Sequence, residues 1–343
     1  MGQSRTGREG LVAAAILVAL GTVLALATPR ADARVIASVG GCQLFPTYAG
    51  AAGAPSAADQ TAWNQDVSAS PKDPMSGKYM RRIRKLGGNQ YLHPDFGGGG
   101  AYGIPFAVVP QSEPLVDVTI GPQGYPDESE FGAGTDGPDS APIPLDAPIE
   151  GGSDHHVLVV RQSDCDLYEM YRSFSQETGW RADSTALFDL GSAARHPEGW
   201  TSGDAAGLPI LPGLVRYDEV AAGNVAHAIR ATFESTRRGY VHPATHYASS
   251  RCGRALPPMG LRLRMKEGYY LDHLADYEPG SQARPIYEAL YRYGMIVADN
   301  GSNFYFTGAA DPGWDDDDVG ALKDVPGRAF QVVASEASVT TPC

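Results

Sequence analysis

The chain has 343 residues, 43% of them hydrophobic, and carries a net charge of −13 from 27 basic and 40 acidic side chains. That length and apolar fraction support a folded domain with a sizeable core and exclude a disordered or collagen-like chain. The acidic surplus disfavours nucleic acid and anionic membranes and leaves neutral or cationic substrates, with Arg237, Arg238, Arg251, Arg254, Arg262 and Arg264 as a local basic exception.

Residues 1–33 read as a secretory signal. Arg5 and Arg8 precede the uncharged run 11–27, and Ala31-Asp32-Ala33 supplies a small-x-small cleavage site. The protein is therefore expected to be secreted, with no stable membrane insertion after cleavage. An uncleaved anchor is the alternative, because the run is close to the shortest length that spans a bilayer. Cys42, Cys165, Cys252 and Cys343 all lie beyond this segment, and an even count in an exported chain predicts disulfides. Of three possible pairings, Cys42 with Cys165 and Cys252 with Cys343 are favoured, since each ties a loose end to the body.

Residues 34–70 form an Ala/Pro/Ser-rich lead-in, and 71–343 a single domain. A short helix over 80–86 precedes Gly87-Gly88, and strands are expected at 104–109 and 115–120. Residues 121–153 are dense in Pro, Gly, Asp and Glu and mark a long surface loop. Strands at 156–161, 166–174 and 180–190 follow in quick succession, which suits an antiparallel meander better than parallel pairs with their long crossovers. Strands at 226–233, 261–266, 295–298 and 303–307, a helix over 281–293 stopped by Gly294, and a last acidic-capped helix at 315–323 complete the pattern. Many short strands and few helices predict a mainly β, single-domain antiparallel β-sandwich, jelly-roll-like, with one or two short helices near the C-terminus.

Residues 200–220 are the exception to regular structure. Pro209, Pro212, Gly203, Gly207 and Gly213 forbid a plain helix or strand, yet the run is apolar enough to be buried and carries Asp204, Arg216, Asp218 and Glu219. A long irregular segment inside a compact domain marks a site.

Several strings resemble a family of uncharacterised secreted bacterial proteins. They are Leu92-His93-Pro94-Asp95-Phe96-Gly97, Ala147-Pro148-Ile149-Glu150-Gly151-Gly152, residues 200–220, Ala244-Thr245-His246-Tyr247-Ala248-Ser249-Ser250, Pro257-Pro258-Met259-Gly260, and Tyr293 to Gly301. The resemblance spans roughly residues 42–333 and implies one secreted domain, with no activity to carry over. The chain departs from the family pattern at Asp154-His155-His156, where Asp-Arg-His is expected, and in having Cys252 and Cys343.

The candidate chemistry is carboxylate and histidine acid–base work. Asp204 and Glu219 are the leading pair, because glycoside cleavage uses two carboxyl groups. An ion pair with Arg216 is the structural reading of Asp218. Asp154 and His156 share a face if the strand alternates, so the Asp would orient the His. His246 is a further catalytic candidate. Trp200, Arg216, Tyr217, Tyr240, His242, Tyr247 and Asp299 are candidate substrate contacts. Asp299-Asn300-Gly301 also reads as a turn. No cofactor is required, although His242 and His246, four apart, leave a divalent metal open; the zincin Glu is missing between them.

Together these features predict a secreted, monomeric carbohydrate-active enzyme acting on an extracellular polysaccharide, a glycoside hydrolase or a polysaccharide lyase. A non-catalytic glycan or cell-wall binder and a His242/His246 metal-dependent hydrolase are the alternatives. On the enzyme reading, Asp204→Asn abolishes turnover at unchanged melting temperature; a large loss of stability would assign that carboxylate to the scaffold instead.

Overall fold

A computed structural model describes residues 1–2, 38–44, 62–191, 196–335 and 337–343. The signal segment and much of the lead-in lie outside the described residues. In chain order the elements are β1 (Ser38–Val39), β2 (Cys42–Gln43), α1 (Ser76–Leu86), β3 (His93–Asp95), β4 (Phe106–Val109), β5 (Val116–Ile120), β6 (Ser140–Ala141), β7 (Val157–Arg161) and β8 (Asp166–Tyr171). They continue with β9 (Phe174–Ser175), β10 (Gly179–Ala182), β11 (Ser184–Asp189), α2 (Tyr217–Ala221), β12 (Ile229–Phe233), β13 (Arg262–Met265) and α3 (Glu267–His273). Last come α4 (Ala283–Arg292), β14 (Met295–Asn300), β15 (Tyr305–Thr307), α5 (Asp316–Gly320) and β16 (Phe330–Val332).

Beyond the β1–β2 hairpin, the strands build three sheets, ordered β6-β5-β10-β9, β11-β8-β7-β4 and β16-β13-β14-β12-β15-β3. The molecule is thus mainly β with few short helices. The expected all-antiparallel arrangement is corrected: β5–β10, β4–β7, β12–β14 and β3–β15 are parallel pairs, so every one of the three sheets is mixed. Strands joined by short turns do pair antiparallel, as β7 with β8. Strands separated by long loops have enough chain to return in the same direction.

The strand expected over 180–190 divides at Asp183. Gly179–Ala182 belongs to the first sheet and Ser184–Asp189 to the second. One apolar run therefore links two sheets at a corner.

Strand β7 shows why its sequence carries no polar alternation. Val157 and Val159 join a small core with Val118, Phe131, Met170 and Trp180, while Leu158 and Val160 join the main core with Ile210, Leu214 and Phe306. A strand buried on both faces reads as a continuous apolar run. Each fully buried large side chain of these layers contributes roughly 1.5–3 kcal/mol.

Helix α4 buries Ile286, Tyr287 and Leu290 and ends at Gly294, whose φ of +71° suits glycine and whose Cβ, if present, would strike the Leu263 carbonyl. Asp315 caps α5 by accepting from the Asp317 and Asp318 amides at 3.0 and 3.1 Å. The disulfides join Cys42 to Cys165 and Cys252 to Cys343, the favoured pairing. Among the described residues no helix is long and apolar enough to cross a membrane.

Candidate functional site

The irregular segment over 200–213 locks itself. The Ser202 hydroxyl accepts from the Asp204 amide at 3.0 Å and donates to the Leu208 carbonyl at 2.7 Å. The Ala206 amide donates to the Ala298 carbonyl of β14 at 3.0 Å, which pins the loop to the six-stranded sheet. Asp204 is thereby held under that sheet with no solvent exposure.

Above it, four polar side chains cross four neighbouring strands. Arg230 of β12 grips both oxygens of Asp204, Nε to Oδ2 at 3.0 Å and Nη2 to Oδ1 at 2.6 Å. Its Nη1 donates to the Thr307 hydroxyl of β15 at 2.7 Å, and its Nη2 stands 3.8 Å from Asp299 of β14. Thr307 is in turn the register partner of Asp95 on β3. A β-bulge between Ala231 and Thr232 lies beside this row, a device that re-aims side chains.

The β7–β8 sheet meets the row from the other side. His156 Nδ1 lies 2.5 Å from Glu150 Oε2, and its Nε2 lies 2.9 Å from the Gly203 carbonyl. Both ring nitrogens thus face acceptors, which favours the imidazolium. Burial opposes that charge, but the Glu150 hydrogen bond and carboxylate outweigh it and push His156 up to about 9. Glu150 is pushed up by burial and pulled further down by His156 and Arg230, ending below its ordinary value.

Two carboxyls go the other way. Burial, reinforced by the Asp204 charge, pushes Asp299 up to about 7 against the pull of Arg230, although 22% of its side chain meets solvent. Glu169 of β8 is fully buried and accepts from the Ile210 amide at 2.8 Å and the Leu211 amide at 3.0 Å; burial still pushes it up to about 7. Asp95, at the accessible end of the row, is also raised, by burial first and by the Glu150 charge, while His93 and Arg230 oppose. Two cations, His156 and Arg230, thus serve a larger set of carboxyls, and those left short of positive charge bind a proton more tightly than an ordinary carboxylate.

A groove of about 300 Å³ opens from Asp95 past His93, Phe96, Gly98, Tyr102, Asp316 and Lys323. His93 stacks on Tyr305 with ring centroids 4.0 Å apart, and Tyr102 stands exposed at 65%. Asp95 belongs to both the groove and the charged row.

The remaining predicted residues fall elsewhere. Glu219 is 5% exposed, ion-paired to Arg216 and 3.1 Å from His227 Nε2, and its side chain caps α2 through the Arg216 amide. Arg216, 2% exposed, also has Asp218 at 3.6 Å. Both residues expected at a site therefore sit in a buried scaffold network. Asp154 is exposed, and the partner of His156 is Glu150. His155 at φ +48° interrupts the extended backbone on which the expected alternation depended.

His246 hydrogen-bonds the Ala205 carbonyl through Nδ1 at 2.8 Å and stacks on Tyr247 at 5.5 Å, while Tyr240 is buried and stacks on Tyr247 at 6.4 Å. His242 is exposed. Among the described residues no group of three or more His, Cys, Asp or Glu could hold a metal ion, so His242 and His246 form no such cluster. Trp200 is half-buried, edge-on to His196 at 5.8 Å, and Tyr217 packs against Trp314, which leans on Phe96 in the groove wall.

The row and the groups packed against it bring together Asp204, His156 and Asp299 from the predicted set. They add Glu150, Glu169, Arg230 and Asp95. Three of the four carried a signal: an Arg within the apolar Ile229–Phe233 strand, a Glu before Gly151-Gly152, and an Asp after Pro94. Each is a charged residue where composition calls for an apolar or turn residue. No protein-family model, no curated protein and no solved structure matches the chain.

Proposed function

We propose that the protein is a carbohydrate-active enzyme that cleaves an extracellular polysaccharide by acid–base chemistry at the charged row of the six-stranded sheet. The observation that carries this reading is a pair of half-buried carboxyls pushed apart in proton affinity, Asp299 up to about 7 and Glu150 below its usual value. Carboxyls of divergent proton affinity that share two charged neighbours, His156 and Arg230, follow the pattern by which an acid and an ionised partner are assigned.

Asp299 acts as the general acid, giving its proton to the glycosidic oxygen as that bond breaks. Glu150, kept ionised by His156, faces the positive charge that develops on the sugar ring, and water then adds to that carbon and returns a proton to Asp299. Arg230 positions Asp299, and Asp204 positions Arg230. The groove from Asp95 to Tyr102 receives the chain, with Tyr102 offering an aromatic face. Two disulfides support an exported protein, since such bonds persist in oxidising compartments. We read the scaffold as a sandwich of jelly-roll type and the working unit as a monomer.

A second reading, a non-catalytic glycan binder, has support in the parallel stacking of His246, Tyr247 and Tyr240. Product release from a panel of bacterial and plant polysaccharides separates the two. New reducing ends indicate hydrolysis and unsaturated products indicate elimination. Saturable binding by folded protein with neither product would reject the enzyme reading.

A further inference from the structure

On a chain of net charge −13, four exposed cations gather from separate segments. Lys72 precedes α1 and bridges to Val333 after β16. Arg84 lies in the last turn of α1, Lys266 follows β13, and Arg328 lies in the turn before β16. Lys266 Nζ donates to the Arg328 carbonyl at 2.6 Å. None of the four forms an ion pair with a carboxylate among the described residues, and all are exposed. Glu267, adjacent in sequence, points its carboxylate to the Tyr291 hydroxyl at 3.5 Å, and Asp73 spends a carboxylate oxygen on the Met75 amide at 2.5 Å.

The crowding has an electrostatic cost. Burial and then the charges of Lys72, Arg84 and Arg328 hold Lys266 below the usual lysine range. Helix α1 extends the same field with Lys78, Arg81 and Lys85, all exposed. Tyr269, half-buried, feels the Arg328 charge and lies tilted against His273 with ring centroids 4.3 Å apart, placing an aromatic group at the edge of the cations. Asp276 and Asp324 also act on Tyr269, but no carboxylate among the described residues pairs with the four cations, and like charges left unpaired are relieved by a bound polyanion.

We propose that Lys72, Arg84, Lys266 and Arg328 form a docking surface for an acidic polysaccharide that shares no residue with the charged row or the groove. A single flexible chain reaches this small patch alone. A nucleic acid duplex or an anionic bilayer would bring more charge against the acidic remainder of the protein. The proposal stands independently of the chemistry of the charged row, because binding is measured without turnover.

The test uses the full chain and fluorescently labelled polygalacturonate, with duplex DNA and anionic phospholipid vesicles as the other arms. Saturable polygalacturonate binding that weakens with added salt is expected. Lys266→Glu with Arg328→Glu weakens it by on the order of tenfold or more. Lys266→Gln with Arg328→Gln gives a smaller loss in the same direction and guards against misfolding of the first variant. A control of equal charge change at exposed neutral positions, Gln111→Glu, Ser112→Glu, Gln123→Glu and Thr178→Glu together, leaves binding within about twofold if the patch rather than net charge is responsible. No binding to polygalacturonate, equal weakening by the control, or equal or tighter binding to DNA or vesicles would overturn the proposal.

Discussion

Arg230 holds Asp204 by both carboxylate oxygens, and the two side chains are only 5% and 0% exposed. A carboxylate so enclosed cannot meet a polysaccharide; it fixes the guanidinium that in turn faces Asp299 and Thr307. Removing one partner of a buried pair leaves an uncompensated charge, at a cost of about 3–5 kcal/mol. Asp204→Asn is therefore expected to lower the midpoint of urea unfolding markedly. An unchanged midpoint would return Asp204 to the reacting groups.

The Glu150–His156 pair makes stability depend on pH in two directions. The folded His156 is raised to about 9 from 6.5, so its contribution is complete below pH 6.5 and is lost as pH rises through about 9. Glu150 is lowered from 4.5, so its contribution is present above pH 4.5 and is lost as pH falls through the folded value. These are two views of one interaction and are counted once. The difference in melting temperature between wild type and Glu150→Gln should be largest between pH 4.5 and 6.5 and shrink on both sides. A difference that stays constant from pH 5 to 10 would mean that the ion pair does not form.

Asp299 is predicted to be the acid. Turnover should decline as pH rises through about 7, and Asp299→Asn should lower kcat by roughly 10²–10⁴. The stability readout separates this from a scaffold role. A carboxyl raised from 3.8 to about 7 stabilises the fold while protonated, and that contribution is lost between those two values. Asp299→Asn should consequently raise the melting temperature at pH 8 and leave it nearly unchanged near pH 3.5. A lowered melting temperature at pH 8 would assign Asp299 to the scaffold.

Much of the fold was legible because burial writes itself into hydrophobic pattern. The Val157–Arg161 strand, the Ala283–Arg292 helix with Gly294 behind it, and both disulfides follow from local composition or from which chain end needs tying. The division at Asp183 was not legible, since Trp180 and Leu187 suit either sheet and only tertiary placement separates them. The site divides the same way. Residues 200–220 stood out through their prolines, glycines and apolar burial, and Asp204 does reach the charged row. Its partner Arg230 lies 26 residues away in a strand that reads as core, and no local spacing joins them. The Glu150–His156 pair was masked because one residue, His155, adopts a left-handed conformation and cancels the alternation that pointed to Asp154.

Glu219 offers the converse case, a predicted catalytic carboxylate that the fold uses for support. It answers Arg216 and His227 at once, and its side chain closes the first turn of α2. Burial pushes its carboxyl up, but the charges of His227 and Arg216 more than offset that and leave it below the ordinary range. Glu219→Gln removes the negative charge between two buried basic groups and is expected to destabilise the fold by about 3–5 kcal/mol. The specific activity of the fraction that remains folded should stay within about twofold of wild type, since the residue belongs to a network apart from the charged row. Denaturant titration, paired with activity normalised to folded protein, measures both quantities. A near-native unfolding midpoint with lost activity would place Glu219 back among the reacting groups.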